Sequence, residues 1–320
     1  FRYFLIYHIK MLKTILTLVL ILQTFQKSDV YFTKEISSHK IVEMFQKLNL
    51  NLQGNVGLKI HSGEPNGPYF LRPDFLQEIY DYTNGTFIEC NTAYTSVRSS
   101  TTGHKQLLDD NGWTKNNRRI VLMDENPNDD IELTVKNPQK ISKNYVGGHL
   151  KDFNSCLVLS HFKGHPMGGF GGALKQLSIG CASSVGKAWI HSAGTNKDQY
   201  TLWNNLPKQN DFLESMADAA SAVVNYFKGN MIFINVMCNM SVDCDCCAVA
   251  EDPCMKDIGI LASLDPIAID QACIDLVEKS NDPGKEHFME RVNSRNGIHT
   301  IEAAAELGFG TREYELIYID

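Results

Sequence analysis

The sequence predicts an α/β fold in which helices sandwich a mostly parallel sheet, with a division into two α/β lobes as an alternative. Three observations support this class. From Ser28 onward, short apolar runs typical of buried strands alternate with amphipathic stretches typical of helices. The composition, 43% hydrophobic and 21% charged, excludes a disordered, collagen-like or coiled-coil protein. The 320 residues are enough to bury a large core without disulfides or a structural metal.

The first half of the chain contains more predicted strands than helices. Apolar runs predict strands over Val56–His61, Thr86–Cys90, Ile120–Met123, Ile131–Val135 and Cys156–Ser160. Helices are predicted over Pro73–Tyr82, where apolar side chains have helical spacing, and over His104–Asn111. The Asn/Pro/Asp run at 126–130 is typical of a turn and separates two of the strands.

The second half alternates helices with strands. Helices are predicted over Gly171–Gly180, Asp211–Lys228, 266–278, Gly284–Arg295 and Thr300–Leu307. Strands are predicted over Met231–Val236, Ile258–Ala262 and Glu315–Ile319. Asp265 is the predicted N-cap of the third of these helices, because Pro266 stands at the first helical position. Residues 28–320 are therefore predicted to form one α/β domain, with a soft lobe boundary in the polar stretch 194–210.

Residues 1–27 are predicted to lie outside this fold. Met11 opens a stretch that resembles a short signal peptide, and its apolar core, Ile15–Leu22, is too short to span a membrane. Three interpretations of the segment are open: an over-extended gene model, a signal peptide or a membrane anchor.

The cysteines and the charge balance bear on location and partners. Nine cysteines, an odd number spread unevenly, do not fit a secreted disulfide framework, so we expect a cytoplasmic protein. An exported or membrane-anchored protein is the alternative if residues 11–27 are a true signal. The net charge of −7 gives no electrostatic reason to expect nucleic-acid binding. We also expect no membrane contact for the folded body.

A glycine-rich segment, residues 161–175, is the densest candidate site. It follows a predicted strand and enters a predicted helix, which is where ligands bind in open α/β sheets. His161, Lys163 and His165 are the candidate catalytic residues, because they can act as acid, base or electrostatic stabiliser. The candidate ligand-binding residues of the segment are Gly168, Gly169, Gly171, Gly172 and Lys175. We expect unpaired N–H groups at the start of the helix to favour an anion. A tight turn with solvated basic residues is the structural alternative.

An acidic cysteine motif is the second candidate site. Asp243, Cys244, Asp245 and Cys246 are consecutive, with Cys247 beside them. Carboxylates and thiolates packed this closely repel one another, and a bound cation would relieve the repulsion. Thiolates favour zinc or an iron–sulfur centre, so these four residues are the candidate metal ligands. An exposed acidic loop with reduced thiols is the alternative.

Four further residues are candidates for the same ligand crevice. His61 ends one predicted strand and Glu64 follows it, and Glu89 lies at the end of the next. His191 lies eleven residues beyond Gly180 and could reach the same crevice. A satisfied structural role is the alternative for His61 and Glu89, and capping a helix is the alternative for His191.

Several long motifs resemble the family called domain of unknown function 362, whose members are commonly labelled Fe–S center proteins. They are HFKGHPMGGFGGALKQLSIGCAS, VDCDC, DIGILASLDPIAIDQAC and SRNGIHTIEAAAELGFGTREYELI. The resemblance runs from about Val30 to Asp320 and implies an α/β fold, a cytoplasmic bacterial or archaeal setting and an iron–sulfur association. Longer relatives carry a ferredoxin-like insert with two CxxCxxCxxxCP runs, which this sequence lacks. Asp243–Cys246 match the family's short acidic cysteine motif.

These observations lead to three hypotheses of function. The first is an iron–sulfur- or metal-associated α/β protein with a ligand crevice at the glycine-rich turn, holding a cluster or a single metal ion. The second is a non-catalytic protein that binds a small anion or delivers a cluster to a redox or cluster partner. The third is a metal-free enzyme in which a histidine base acts on a small carboxylate or phosphate substrate.

Overall fold

The computed structural model describes residues 27–126, 128–247 and 249–320. Its strands are β1 (Ser28–Thr33), β2 (Val56–Lys59), β3 (Thr86–Glu89), β4 (Ile120–Leu122), β5 (Ile131–Thr134), β6 (Lys143–Val146), β7 (Ser155–His161), β8 (Lys163–His165), β9 (Gly169–Gly171), β10 (Met231–Met237), β11 (Gly259–Ser263) and β12 (Tyr314–Tyr318). Its helices are α1 (Ser38–Lys47), α2 (Gln77–Thr83), α3 (Thr101–Asp110), α4 (Ala173–Lys175), α5 (Ser184–His191), α6 (Gln209–Phe227), α7 (Pro266–Lys279), α8 (Lys285–Ser294) and α9 (Ile298–Glu306). A π-helical turn, Gln176–Gly180, directly follows α4.

Eight of these strands form one sheet in the order β12-β1-β11-β10-β7-β2-β3-β4. Strand β11 is antiparallel to both of its neighbours, and the other pairs are parallel. The prediction of an α/β fold with a mostly parallel sheet is therefore confirmed. Two small antiparallel pairs, β5 with β6 and β8 with β9, lie outside the main sheet.

The centre of the sheet is buried on both faces. Every residue of β7 and β10 is buried, as expected for strands with nearly continuous apolar sequences. Val158 and Phe233 belong to an apolar cluster with residues of α6, α7, α8 and α9. Leu157 and Ile234 belong to a second cluster, with residues of α1, α2 and α3. Successive side chains of each strand thus pack against helices on opposite sides of the sheet.

The start of α7 agrees with the sequence prediction, whereas the glycine-rich segment does not. The Asp265 carboxylate accepts hydrogen bonds from the backbone N–H groups of Ile267 and Ala268, and Pro266 is the first helical residue. The helix predicted over Gly171–Gly180 is wrong at its beginning, because Gly169–Gly171 pairs with β8 as strand β9. The helix starts only at Ala173.

Some predictions about organisation stay predictions. The stretch 194–210 contains a 3-10 turn at Leu202–Asn204. Strand β7, which precedes this stretch, and strand β10, which follows it, pair with each other in the main sheet. The signal-like segment lies outside the described residues except for Lys27. Among the helices of the described ranges, none is both long and apolar enough to cross a membrane.

Candidate functional site

A cavity lies at the carboxyl ends of β2, β3 and β7, where residues predicted from distant parts of the sequence come together. His61 follows β2, Glu89 ends β3, and Lys163 lies just beyond β7. Parallel strands direct their carboxyl ends to the same edge of a sheet, so these side chains meet there. The cavity has a volume of about 70 Å³.

The predicted site residues divide into those that line the cavity and those that lie outside its wall. Of the candidate catalytic and metal-binding residues, Lys163, His165 and Cys246 line it. Of the candidate ligand-binding residues, His61, Glu89, Gly171, Gly172, Lys175 and His191 line it. Absent from the lining are His161, Glu64, Gly168, Gly169, Asp243, Cys244 and Asp245. The roles assigned to all of these residues stay predictions.

A buried ion-pair network forms one wall of the cavity. Lys59 Nζ lies 2.7 Å from Glu89 Oε2, and both side chains are almost fully buried. Arg98 lies 2.7 Å from Glu64 Oε1 and 3.5 Å from Glu89 Oε1. Burial alone would raise the pKa of Glu89, but Lys59 and Arg98 outweigh it and hold that pKa well below its usual range. Glu89 is therefore a carboxylate that links two cations.

Asp245 forms a second ion-pair centre behind the cavity. Its carboxylate lies 3.0 Å from Lys163 Nζ and 2.9 Å from His161 Nδ1. Burial opposes ionisation, but the two cationic neighbours outweigh it and keep the pKa of Asp245 well below normal. His161 Nε2 is 2.6 Å from the Cys238 carbonyl oxygen. Because both ring nitrogens of His161 face acceptors, both must carry protons to make these bonds.

The three histidines that line the cavity differ in tautomer. His61 Nδ1 accepts a hydrogen bond from Gly63 N at 3.0 Å, and His165 Nδ1 accepts one from Gly168 N at 2.8 Å. Burial lowers the pKa of His61 and His165 well below normal, so each neutral ring carries its proton on Nε2. His191 Nδ1 instead lies 2.7 Å from the Lys187 carbonyl oxygen, to which it donates. Burial lowers the pKa of His191 to about 4. Neutral His191 therefore has its lone pair on Nε2.

The acidic cysteine motif brings two thiols next to the cavity. Potential ligand atoms of His165, Cys244 and Cys246 all lie within 4.8 Å of one another. Lys175 Nζ lies 3.3 Å from Cys244 Sγ, and burial raises the pKa of the Cys244 thiol well above its usual value. Asp243 instead pairs with Arg291, at 3.0 Å.

The N–H groups at the start of α4 are not free for a ligand. Asp270 Oδ1 accepts from Ala173 N at 2.8 Å, and Asp270 Oδ2 accepts from Leu174 N at 2.9 Å. The expectation of unpaired N–H groups at this helix start is therefore wrong, because a carboxylate from α7 already occupies them. A side chain at Gly172 would run into the Asp270 carboxylate, whereas one at Gly171 would point toward Lys175, 3.2 Å from its Cδ atom.

Sequence reasoning missed several residues of the cavity wall. These are Arg98, Gln176, Lys187 and Trp203, together with Lys59 behind the wall. Arg98 and Lys59 become recognisable only through their carboxylate partners, which lie 34 and 30 residues away in the sequence. Gln176 directly follows Lys175, and this adjacency was the one local signal that could have identified it.

The fold and the site define an α/β protein with a cation-rich cavity at the carboxyl edge of its sheet and a pair of thiols beside it. A family model described as a domain of unknown function, DUF362, matches residues 56–275, more than two thirds of the chain. The protein belongs to this family, which confirms the resemblance found in the sequence motifs. No curated protein sequence matches the chain.

Two solved structures are similar to parts of this chain. One is the lactate racemase apoprotein from Thermoanaerobacterium thermosaccharolyticum, with 14% identity and a TM-score of 0.40 over 65% of this chain and 50% of that one. The other is a protein from Thermotoga maritima, with 12% identity and a TM-score of 0.43 over 86% of this chain and 60% of that one. The chain thus spans between half and three fifths of the length of these two proteins.

Proposed function

We propose that this protein binds a small carboxylate or phosphate compound in the cavity. The observation that carries the proposal is the charge of the lining. Four cationic side chains line the cavity, and Glu89 is the one carboxylate among the lining residues of the described chain. The cations are Arg98, Lys163, Lys175 and Lys187. An excess of buried positive charge is unfavourable unless an anion compensates it, and the ligand would supply that anion.

Two of these cations are available for a ligand. Glu64 and Asp245 compensate Arg98 and Lys163 from outside the lining. Lys175 and Lys187 have no carboxylate within 4.0 Å in the part of the chain that the structure describes. Lys187 Nζ donates to the Ala182 carbonyl oxygen at 2.6 Å. Each charge-assisted hydrogen bond to a ligand would contribute about 1.5–3 kcal/mol.

The size of the cavity suits a small ligand. The cavity volume is about 70 Å³, whereas one ordered water needs about 10–15 Å³. The cavity therefore has room for a small anion such as inorganic phosphate or oxalate.

If the site performs acid–base chemistry, the hydrogen bonds favour His191 as the base. Neutral His191 offers a lone pair on Nε2, whereas His61 and His165 carry a proton there. His161, a predicted catalytic residue, uses both ring nitrogens in bonds to Asp245 and to the Cys238 carbonyl. His165 can act as a donor, and Lys163 can stabilise developing negative charge.

Calorimetric titration of the purified full-length protein with inorganic phosphate and with oxalate tests the proposal. Lys187→Gln should weaken binding about tenfold, because one charge-assisted hydrogen bond is lost. Lys279→Gln, which removes an exposed lysine from α7, is the matched control and should leave affinity unchanged. Wild-type protein that binds neither anion, or a Lys187 variant that binds as tightly as wild type, would contradict the proposal.

A second candidate function is metal association, favoured by the convergence of His165, Cys244 and Cys246. The described residues do not fit the four-thiolate iron–sulfur cluster implied by the family label, because this group contains two cysteines. His165 also fits poorly as a ligand through Nε2. Its Nδ1 accepts from Gly168 N, whereas a metal-bound imidazole donates its other N–H to an acceptor. Cys244 and Cys246 would therefore be the residues that hold a single soft metal ion.

Metal content measured by mass spectrometry after anaerobic purification tests this second candidate. Thiols lose their protons when they bind metal, so any bound metal should be released as the pH falls. Replacing Cys244 and Cys246 together by serine should abolish retention, and Cys273→Ser, a buried cysteine on α7, is the control. Unchanged metal content in the double variant would place the metal elsewhere. The hypothesis that the protein delivers a cluster to a redox or cluster partner stays a prediction.

A further inference from the structure

We infer that Gln176 is a ligand contact of the cavity and that its amide N–H group selects ligands with an oxygen acceptor. The inference rests on the proposed anion-binding function and deepens it, because it adds a neutral donor to the cationic lining. Gln176 lines the cavity and is 7% exposed. Gln176 would therefore affect which ligands bind, because only a ligand with an oxygen atom within hydrogen-bond distance of this donor can pair with it.

The orientation of the Gln176 amide follows from the one side-chain hydrogen bond that it makes within the described residues. Lys59 Nζ donates a hydrogen bond to Gln176 Oε1 at 3.2 Å. A lysine ammonium has donors only, so the amide oxygen must be the atom that faces it. The amide nitrogen is therefore the free end, and Gln176 Nε2 is buried without an acceptor in the described structure. Buried donors in native proteins are nearly always paired, so an unpaired one in a cavity wall indicates a missing partner.

The surroundings hold this amide in place before any ligand binds. Lys59 is 0% exposed and is itself anchored by Glu89 at 2.7 Å. A side chain at Gly180 would run into Gln176 Oε1, so the glycine leaves the space that the amide occupies. Gln176 begins the π-helical turn, and such turns are frequent at functional sites. A donor fixed in this way loses little freedom when the ligand arrives.

The chemistry of the lining identifies the ligand group. Gln176 Nε2 can donate but cannot accept, and the neighbouring Lys175 in the same wall is also a pure donor. A carboxylate or phosphate oxygen satisfies both, because each such oxygen has more than one lone pair. An ammonium group, which has donors only, would leave the amide unpaired. The ligand class is therefore an oxyanion, whose oxygens can accept from Gln176 Nε2 and from the lysines.

Two variants of the full chain test the inference by calorimetric titration with inorganic phosphate and with oxalate. Gln176→Met keeps the approximate volume and removes the donor. Gln176→Glu keeps an acceptor for Lys59 but replaces the donor by a carboxylate oxygen. Both should bind the anions about 10- to 100-fold more weakly, because a hydrogen bond to a charged group is lost. Gln139→Met is the matched control, because it makes the same substitution at a glutamine whose amide donates to the Ala303 carbonyl oxygen and to Glu306. This variant should bind both anions as tightly as wild type does.

Stability separates a ligand contact from a structural role. The melting temperature of ligand-free Gln176→Met should fall only slightly, because the change removes an unpaired buried donor. It also removes one acceptor of Lys59 Nζ, but this ammonium keeps its bonds to Glu89 and to the Ile60 carbonyl oxygen. A large fall in melting temperature with unchanged anion affinity would overturn the inference and assign Gln176 a structural role. If Gln176→Met does not fold, equal affinity of Gln176→Glu and wild type would overturn it. Wild-type protein that binds neither anion refutes the proposed function itself, which distinguishes the two failures.

Discussion

The pH dependence of stability should change when Asp270 is replaced by asparagine. Burial raises the pKa of Asp270 to about 6. The carboxylate accepts hydrogen bonds from Ala173 N, Leu174 N and Asn235 Nδ2, the last at 2.7 Å. These bonds favour the ionised form and lower the pKa, but the effect of burial is larger. In an unfolded chain the pKa of an aspartate is about 3.9. The folded protein therefore binds this proton more tightly than the unfolded chain does.

The magnitude and sign follow from linkage. A difference of about two pKa units corresponds to about 3 kcal/mol in the free energy of unfolding. Because the folded-state pKa is the higher one, this stability is fully present below about pH 4. It is lost as the pH rises from about 4 through about 6, where the buried side chain ionises. The Asp270→Asn variant has no group that titrates here, so this part of the pH dependence should disappear.

Urea unfolding at about pH 4, 6 and 8 measures the effect, because the extrapolated free energies can be compared at each pH. From pH 4 to pH 8, the difference between the two proteins should shift by about 3 kcal/mol in favour of Asp270→Asn. Ala272→Gly removes a buried methyl group from the same helix and no titratable group, so its curve should run parallel to that of wild type. Parallel curves for wild type and Asp270→Asn would refute the reasoning.

Two further predictions concern the cavity wall. Gly171→Ala should weaken phosphate binding while leaving the melting temperature nearly unchanged, because its Cβ would point toward the lysines of the cavity. Gly172→Ala should lower the melting temperature, because its Cβ would collide with the Asp270 carboxylate; equal melting temperatures for the two variants would contradict this. Glu64→Gln should destabilise the protein by about 1.5–3 kcal/mol, because it removes the negative charge closest to buried Arg98, although the amide oxygen can still accept and Glu89 remains. A loss below about 1 kcal/mol in urea unfolding would show that the pair is not needed.

Sequence reasoning succeeded where a structure depends on neighbours in the chain. The runs Cys156–Ser160 and Met231–Val236 are apolar at nearly every position, and both form central buried strands. The start of α7 was predictable because its cap, Asp265, and its first residue, Pro266, are adjacent. The strand ends could then be assigned to one edge of the sheet, which placed His61, Glu89 and Lys163 near one another.

Sequence reasoning failed where distant partners decide the structure. The glycine-rich turn resembled a helix start with free N–H groups. In the structure, these groups donate hydrogen bonds to the carboxylate of Asp270, which lies almost one hundred residues further along the chain. Arg98 lies in a polar stretch with no local sign of burial, and its position depends on two carboxylates from other segments. Lys187 gave no signal either, because a lysine on a short helix is usually solvated.

The ion pairs around the cavity suggest how its shape and its charge are maintained together. Lys59 on β2 pairs with Glu89 on β3, and Lys163 on β8 pairs with Asp245 in the acidic cysteine motif. Each pair cross-links two segments, so the same contacts that hold the strand ends together also neutralise part of the positive charge. Lys175 has no carboxylate partner in the described structure, and its ammonium group donates only to the Cys244 thiol there, so its positive charge is available to pair with an anionic ligand. A neutral substitution at Asp245 should therefore destabilise the cavity wall, because the charge of Lys163 would lose its carboxylate partner. A neutral substitution at Lys175 should instead weaken anion binding and leave the stability of the wall unchanged.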